Sequence, residues 1–215
     1  SVALLDGHKL LASFDLSPSE RSAKALVPAI HALWREVGWQ PADTELIALA
    51  IGPGSFTGLR VGVTTAKTLA YALRAAVLGV NTLEVIASQA PDFAGRITVW
   101  LDAQRNQLFS ATFQAIAAAP LQPIEPAHIV DEGPALAALV PGQFITGPAL
   151  KKMAAGLPAH VQPVASQHWQ PTAAAIGQLA LRKFEAGERG DLWRLTPLYL
   201  RQSAAEEKWD REGRP

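Results

Sequence analysis

The chain has 215 residues, of which 49% are hydrophobic, and this is enough to bury a core in one large domain or two small ones. Its 19 basic and 19 acidic side chains give zero formal net charge, which argues against a protein that binds nucleic acid by itself. A zero net charge is still compatible with a local basic patch. The absence of cysteine excludes disulfides and zinc–thiolate sites and suits a cytoplasmic protein. We expect no membrane helix and no signal peptide, because no apolar run is long enough for the former.

The first predicted elements are a β-hairpin and a helix. Segments 1–5 and 10–14 are apolar and flank an Asp-Gly dipeptide, which supplies the positive φ angles of a tight turn. Residues 17–20 match a capping box, and apolar residues then recur at helical spacing until Gly38, a natural stop.

Strands and helices then alternate in a pattern typical of a mixed α/β layer structure. A continuous apolar run at residues 46–51 predicts a buried strand that ends in a glycine turn. The elements predicted after it are a helix over residues 55–73, a strand over 76–80 and a helix over 82–90.

A second cycle begins near residue 97 and resembles the opening hairpin. Apolar residues 97–101 lead into a polar turn that begins at Asp102, and this indicates an internal duplication, with domains at residues 1–92 and 93–215. The elements predicted later are a returning strand over residues 107–114, an Ala- and Pro-rich connection over 115–126, a strand over 143–146, a helix over 172–184 and a charged, mobile tail over 203–215.

The segment GPGSFTGLR, which starts at Gly52, carries most of the functional information. Gly52 and Gly54 permit a sharp bend, and Ser55 is placed to cap the next helix, whose N-terminus is a potential anion site. Asp102 is the best acidic candidate to join them in a phosphate-binding turn. The segment matches neither a P-loop nor a dinucleotide fingerprint. The alternative for both places is a plain turn.

The helix over residues 55–73 is apolar on more than one side. Its charges, Arg60 and Lys67 with Arg74 beyond them, form one narrow stripe. A second apolar face carries small residues four apart, at Gly58 and Gly62, which let another helix approach closely. Such a helix needs a second cover. Either a partner subunit or the chain's own first helix could provide it.

The run IALAIGPGSFTGLRVGVTTAKTLAYAL resembles the TsaB family, also called YeaZ, and so do SVALLDG, LDAQRNQLF, ITGPAL and TPLYLR in the same order. The resemblance implies an actin-like, ribonuclease H-related α/β fold with two similar domains. Family members begin with an earlier apolar strand and an acidic turn, which we expect to precede residue 1.

The resemblance also implies a function. It is a non-catalytic role in threonylcarbamoyl transfer to the adenosine beside the anticodon of tRNAs that read codons beginning with A. The catalyst there is the paralogue TsaD, joined by the ATPase TsaE, and tRNA is met only through this complex. TsaB also forms homodimers through its first two long helices. We expect that the chain itself requires no cofactor and that the subunit junction is the place where ATP or ADP could bind. The residues assigned to the partner interface are Leu26, Ile30, Gly58, Arg60, Gly62, Thr65, Lys67 and Leu69.

TsaD-like proteins bind a metal with two histidines in the motif Gly-Val-Asn-His-Leu-Glu-x-His. Here Thr82 and Ile86 stand at the two histidine positions, so no metal site and no catalytic residue are expected. The open alternatives are a stand-alone actin-like ATPase or phosphotransferase, a metallopeptidase-like hydrolase, which these two residues disfavour, and a plain tRNA-binding module.

Overall fold

The computed structural model describes residues 1–16, 23–91, 94–116, 119–201 and Trp209. The capping box at residues 17–20 and all of the predicted tail except Trp209 lie outside the described residues. The strands are β1 (Val2–Asp6), β2 (Lys9–Phe14), β3 (Leu46–Gly52), β4 (Ala76–Asn81), β5 (Gly95–Gln104), β6 (Gln107–Ala115), β7 (Gln122–Asp131), β8 (Phe144–Thr146) and β9 (Gln162–Pro163). The α-helices are α1 (Ala23–Val37), α2 (Phe56–Leu73), α3 (Thr82–Ser88), α4 (Glu132–Ala137), α5 (Leu150–Met153) and α6 (Ala173–Glu185).

The predicted opening hairpin is confirmed. β1 and β2 pair antiparallel, and Gly7 takes the left-handed φ of 53° that the turn requires. Helix α1 packs on this hairpin, where Leu33 is buried against Val2 and Ala12.

Strands β3 and β4 form a parallel pair that lies between two helices. On one face, Val63 and Ala66 of α2 pack against alternate residues of the two strands. On the other face, Leu179 of α6 packs against Leu78 and Val80. Side chains alternate across a strand, so one apolar run can serve both helices.

The two strand pairs of this half are separate sheets. β1–β2 and β3–β4 share no ladder among the described strands, and α6 lies against both pairs. Gly177 of α6 is close to the hairpin: a Cβ added there would lie 2.8 Å from Leu5 Cδ1. α6 is therefore the element that joins the two sheets.

The remaining strands form a five-stranded mixed sheet in the order β7-β6-β5-β8-β9. The β5–β6 and β6–β7 pairs are antiparallel, whereas β5–β8 and β8–β9 are parallel. Residues of α3 pack on one face with Ile97 and Val99, and Trp100 points to the opposite face, where α5 packs. The predicted turn at Asp102 lies further along, because β5 continues to Gln104.

The prediction of a connection over residues 115–126 was wrong in its second part. β7 begins at Gln122 and contains Pro123 and Pro126. Because of these prolines, a connection rather than a strand was predicted here, but β7 is an edge strand of the sheet. A proline that cannot donate to a ladder is tolerated on such an edge.

Beyond α6, residues 191–201 return to the first half of the chain and form what we call the C-terminal strap. The Leu198 amide donates to the Ile51 carbonyl at 2.7 Å. The Arg201 guanidinium donates to the Ala103 carbonyl and to the Gln107 side chain. The strap and α6 thus contact the first half, and the division at residues 92–93 stays a prediction. Among the described helices, none has the length and apolarity to span a bilayer.

Candidate functional site

The glycine turn joins β3 to α2 in the way the sequence predicts. β3 ends at Gly52, whose φ is 125°, and the Gly52–Pro53 peptide bond is cis. The Ser55 hydroxyl accepts a hydrogen bond from the Gly58 amide at 3.3 Å, which confirms Ser55 as the N-cap of α2. Gly54 and Ser55 are exposed to solvent.

The strap covers the first residue of this turn. Gly52 is buried, and a Cβ added there would lie 2.6 Å from the Leu198 carbonyl oxygen. Of the three turn residues proposed to bind phosphate, only Gly54 and Ser55 are therefore open to a ligand. A phosphate could reach Gly52 only if the strap moved away.

Asp102 has partners of its own. Its carboxylate accepts a hydrogen bond from the Lys152 ammonium at 2.6 Å and another from the Gln104 amide at 2.7 Å. These two hydrogen bonds, with Lys152 the stronger influence, hold the pKa of Asp102 below its ordinary value. Neither partner belongs to the glycine turn, so the described contacts do not bring Asp102 together with Gly54 and Ser55.

The two positions that correspond to histidines in the TsaD motif lie in the core. Thr82 is 7% exposed and Ile86 is fully buried, both on α3. The Asn81 side chain caps this helix by accepting from the Leu83 amide at 2.8 Å. Across the described residues, no group of three or more His, Cys, Asp or Glu side chains could hold a metal ion.

Helix α2 presents three faces. The first, with Val63, Ala66 and Ala70, is buried on the β3–β4 pair. The second lies under the strap: the Lys67 ammonium donates to the carbonyl oxygens of Trp193 and Leu195, at 3.1 and 3.3 Å.

The third face is the one we call the small-residue face, made of Gly58, Gly62, Thr65 and Leu69. It carries no charge, and all four residues are exposed or half-buried. A Cβ added at Gly62 would meet no atom within 4 Å, so nothing described in this chain packs there. Helix α1 lies on the hairpin instead. No described segment of this chain therefore covers α2 on this side.

The structure divides the residues predicted for the partner interface. Leu26 and Ile30 are half-buried and pack in the core between α1 and the hairpin. Arg60 and Lys67 face the strap: the Arg60 guanidinium donates to the Tyr199 hydroxyl at 3.0 Å. The remaining four residues form the small-residue face.

Sequence reasoning missed the strap itself. Its residues contact α2 and β3 across more than a hundred positions of sequence, and no periodicity marks such contacts. The available signal was the aromatic content of a segment that is neither helix nor strand, with Trp193 and Tyr199 close to Pro197.

Residues 16–209 match the profile of the TsaD family, described as tRNA N6-adenosine threonylcarbamoyltransferase. The chain belongs to this family. The chain is 35% identical over 113 residues to the Bacillus subtilis protein TsaB, named as a tRNA threonylcarbamoyladenosine biosynthesis protein. It is 33% identical over 116 residues to the Escherichia coli protein of the same name. These matches confirm the predicted resemblance to the TsaB (YeaZ) group.

These matches cover 53% of the chain, and the chain spans only 49% and 50% of the length of these two relatives. A longer match joins it to the uncharacterized protein Rv3421c of Mycobacterium tuberculosis, at 30% identity over 164 residues and 76% of each chain.

Two solved structures from Pseudomonas aeruginosa share the fold over nearly the whole chain. One is YeaZ, with a TM-score of 0.77 and 24% identity over 92% of each chain. The other is an uncharacterized protein with similarity to peptidase YEAZ, with a TM-score of 0.76 and 23% identity over 93% of each chain. The predicted actin-like α/β fold is thus confirmed.

Proposed function

We propose that this chain is a non-catalytic partner subunit in the biosynthesis of threonylcarbamoyladenosine in tRNA. Its partner is a TsaD-type paralogue, which carries out the transfer to the adenosine beside the anticodon. The relatives named TsaB support the pathway, and the surface of α2 supports the role of a partner.

The observation that carries the proposal is the small-residue face. It is uncharged, it contains two glycines one helical turn apart, and Gly62 has open space beside it. A face of this kind lets a second helix approach α2 at short range and bury apolar surface. The chain's own α1 is engaged elsewhere, so a helix from another subunit is the cover we propose.

Further parts of the proposal follow from the family. In isolation, two copies of the chain pair through the same face. In the cytoplasm, a TsaD-type subunit replaces one copy and a TsaE-type ATPase joins the pair. The chain itself requires no cofactor, and the junction of subunits is the place for ATP or ADP. The chain meets tRNA as part of this assembly.

A stand-alone ATPase, phosphotransferase or hydrolase is less well supported. The strap covers Gly52, Asp102 is bound to Lys152, and the core residues Thr82 and Ile86 offer no ligand set. Turnover of ATP by the isolated chain at a rate unchanged by adding a TsaD-type protein would favour that alternative instead.

The test is co-purification of the chain with the TsaD-type protein of the same organism, followed by an assay for the modified adenosine with and without the chain. We expect a stable pair and a modification that depends on the chain. A modification of equal rate without the chain would contradict the proposed role.

The substitution Gly62→Leu tests the small-residue face as the partner-binding surface. The added side chain enters open space in the monomer, so the fold should persist, but it blocks the approach of a partner helix. We expect light scattering to show monomers and the co-purification to fail. Gly133→Leu is the matched control, because Gly133 also lies in a helix with no atom within 4 Å of an added Cβ. A normal pair with Gly62→Leu would show that the partner binds elsewhere.

A further inference from the structure

Aromatic and cationic side chains lie on the side of α2 that faces the strap and on the strap itself. We call them the aromatic–basic row: Arg60, Tyr71, Arg74, Trp193, Arg194 and Tyr199. The row runs along a helix of 18 residues, a length of about 27 Å. It lies on a different side of α2 from the small-residue face, so both surfaces can be occupied at once.

The row concentrates positive charge in a chain whose formal net charge is zero. Together, α2, its C-cap Arg74 and residues 191–200 of the strap contain three arginines and one lysine against a single aspartate, Asp191. That aspartate is engaged, because it accepts from the Trp193 and Arg194 amides at 2.8 and 3.2 Å and lies 3.7 Å from the Arg194 side chain. The local field is therefore positive and attracts an anionic partner.

Two aromatic pairs stand at the two ends of the row. At the N-terminal end of α2, the Phe56 and Tyr199 rings are stacked with centroids 4.6 Å apart, and the Arg60 guanidinium lies 4.1 Å from the Phe56 centroid. At the other end, Tyr71 and Trp193 meet edge to face with centroids 6.0 Å apart.

The second pair is both exposed and fixed in place. Tyr71 is 68% exposed and Trp193 is 74% exposed, unusually open for side chains of this size. Lys67 anchors the main chain beside them through its hydrogen bonds to the Trp193 and Leu195 carbonyls. Rings that are held rigid while open to solvent are suited to binding by stacking.

The side chains beside the row indicate which anionic partner fits. Thr57, Thr64 and Thr68 are exposed along the neighbouring stripe of α2. Hot spots of protein–protein interfaces lie in well-packed pockets that exclude water, whereas the Tyr71 and Trp193 rings are 68% and 74% exposed. Hydroxyls, arginines and open rings instead match phosphates and unstacked bases.

We propose that the aromatic–basic row binds a single-stranded nucleic acid segment. Bases stack on Tyr71 and Trp193, and phosphates lie against Arg74 and Arg194. The choice of RNA over DNA rests on the proposed function, whereas the binding of a single strand does not. The zero net charge of the chain makes this contact weak on its own and additive to contacts made by a partner subunit.

The test uses the full chain and a fluorescein-labelled single-stranded RNA of about eight nucleotides, the scale of one such binding surface. Fluorescence anisotropy measures Kd over a series of salt concentrations. Trp193→Ala removes the most exposed ring, and Trp193→Phe keeps a stacking surface. Arg74→Ala removes one cation of the row, and Lys151→Ala removes an exposed cation on α5 as the matched control.

We expect Trp193→Ala to weaken binding by at least about fivefold, with Trp193→Phe in between. Arg74→Ala should reduce the slope of log Kd against log salt by about 0.7, whereas Lys151→Ala should leave it unchanged. Duplex RNA should bind more weakly, because its bases are not free to stack.

The proposal is overturned if the wild-type chain shows no salt-dependent binding, if Trp193→Ala binds as well as wild type, or if duplex RNA binds equally. Displacement of the RNA by polyglutamate at equal charge concentration would assign the row to an acidic polypeptide instead. The assay needs no partner subunit, so its failure and a failure of co-purification are separate results.

Discussion

The amide of Leu198 donates a hydrogen bond of 2.7 Å to the carbonyl oxygen of Ile51, although 147 positions separate them in the sequence. This bond seats the C-terminal strap on the end of β3, where the Leu198 carbonyl lies against the Cα of Gly52. The turn at the start of α2 is therefore shaped by a segment from the far end of the chain, and its stability depends on that contact.

Gly52→Ala should destabilise the fold by about 2–4 kcal/mol. The φ of 125° is one that L side chains rarely adopt, and the new Cβ would lie 2.6 Å from the Leu198 carbonyl oxygen. The free energy of unfolding from urea denaturation measures the effect. Gly54→Ala is the control, because a Cβ there meets no atom within 4 Å, and it should change stability little. Equal effects at both positions would mean that the strap does not press on Gly52.

Local patterns in the sequence were sufficient for α2 and its surroundings. The apolar run that becomes β3, the glycine turn and the capping Ser55 are each a short-range signal with a physical cause, and the structure has them within one or two residues. The small-residue face could also be predicted, since it depends only on helical spacing.

Contacts between distant segments could not be predicted in this way. Arg60 and Lys67 carry charges that look free to meet a partner, but the strap binds both, and its path has no periodic signal. Asp102 was predicted to contact phosphate because it follows an apolar strand. Lys152, which binds it in the structure, lies fifty positions further along the chain. β7 was missed for the same reason, because only the sheet order makes it an edge strand that tolerates proline.

Lys67→Met should loosen the strap without unfolding the chain. It retains the aliphatic stem but removes the ammonium donor to the Trp193 and Leu195 carbonyls. A hydrogen bond from a charged group is worth enough that the strap amides should exchange with solvent about tenfold faster. Hydrogen exchange read by mass spectrometry on peptides covering residues 191–201 measures this.

Arg74→Met serves as the control for that experiment. Arg74 lies just after α2 at its C-cap, so it tests the loss of a positive charge near the strap without loss of the anchoring bonds. Exchange in the strap should then stay near the wild-type rate. If Arg74→Met and Lys67→Met had the same effect, the charge rather than the hydrogen bonds would hold the strap.

Asp102 and Lys152 should contribute stability that depends on pH at both extremes. The hydrogen bond from Lys152 lowers the pKa of Asp102 below 3.8, so this contribution is present above that pH and is lost as the pH falls through the lower folded value. Conversely, Asp102 raises the pKa of Lys152 above 10.5, and the contribution is lost as the pH rises through that higher value. The effect should be small, since the side chains are 37% and 70% exposed.

The measurement for this pair is Tm as a function of pH in Asp102→Asn, Lys152→Ala and the double variant. We expect each single variant to flatten the acid limb of the profile, and the double variant to add nothing further. Lys151→Ala, at the neighbouring exposed lysine, should leave the acid limb as in wild type. An unchanged profile in Lys152→Ala would show that the Gln104 amide alone accounts for the lowered pKa.

Thr146→Val should leave the stability unchanged or raise it by up to about 1 kcal/mol, against the usual trend for core substitutions. Thr146 is fully buried at the end of β8, and its hydroxyl is the only buried side-chain polar atom among the described residues without a hydrogen-bond partner. Valine has nearly the same shape and removes that unsatisfied group.

Thr98→Val is the matched control, because the buried Thr98 hydroxyl bonds to Thr112 at 2.8 Å and to Gln143. Its replacement leaves the buried Gln143 amide nitrogen without its acceptor, although Thr112 keeps a hydrogen bond to Glu125, and should lower the free energy of unfolding by about 1–3 kcal/mol. Urea denaturation of the two variants decides the matter, and a Thr146→Val protein that loses as much stability as Thr98→Val would mean that the Thr146 hydroxyl has a partner in solution.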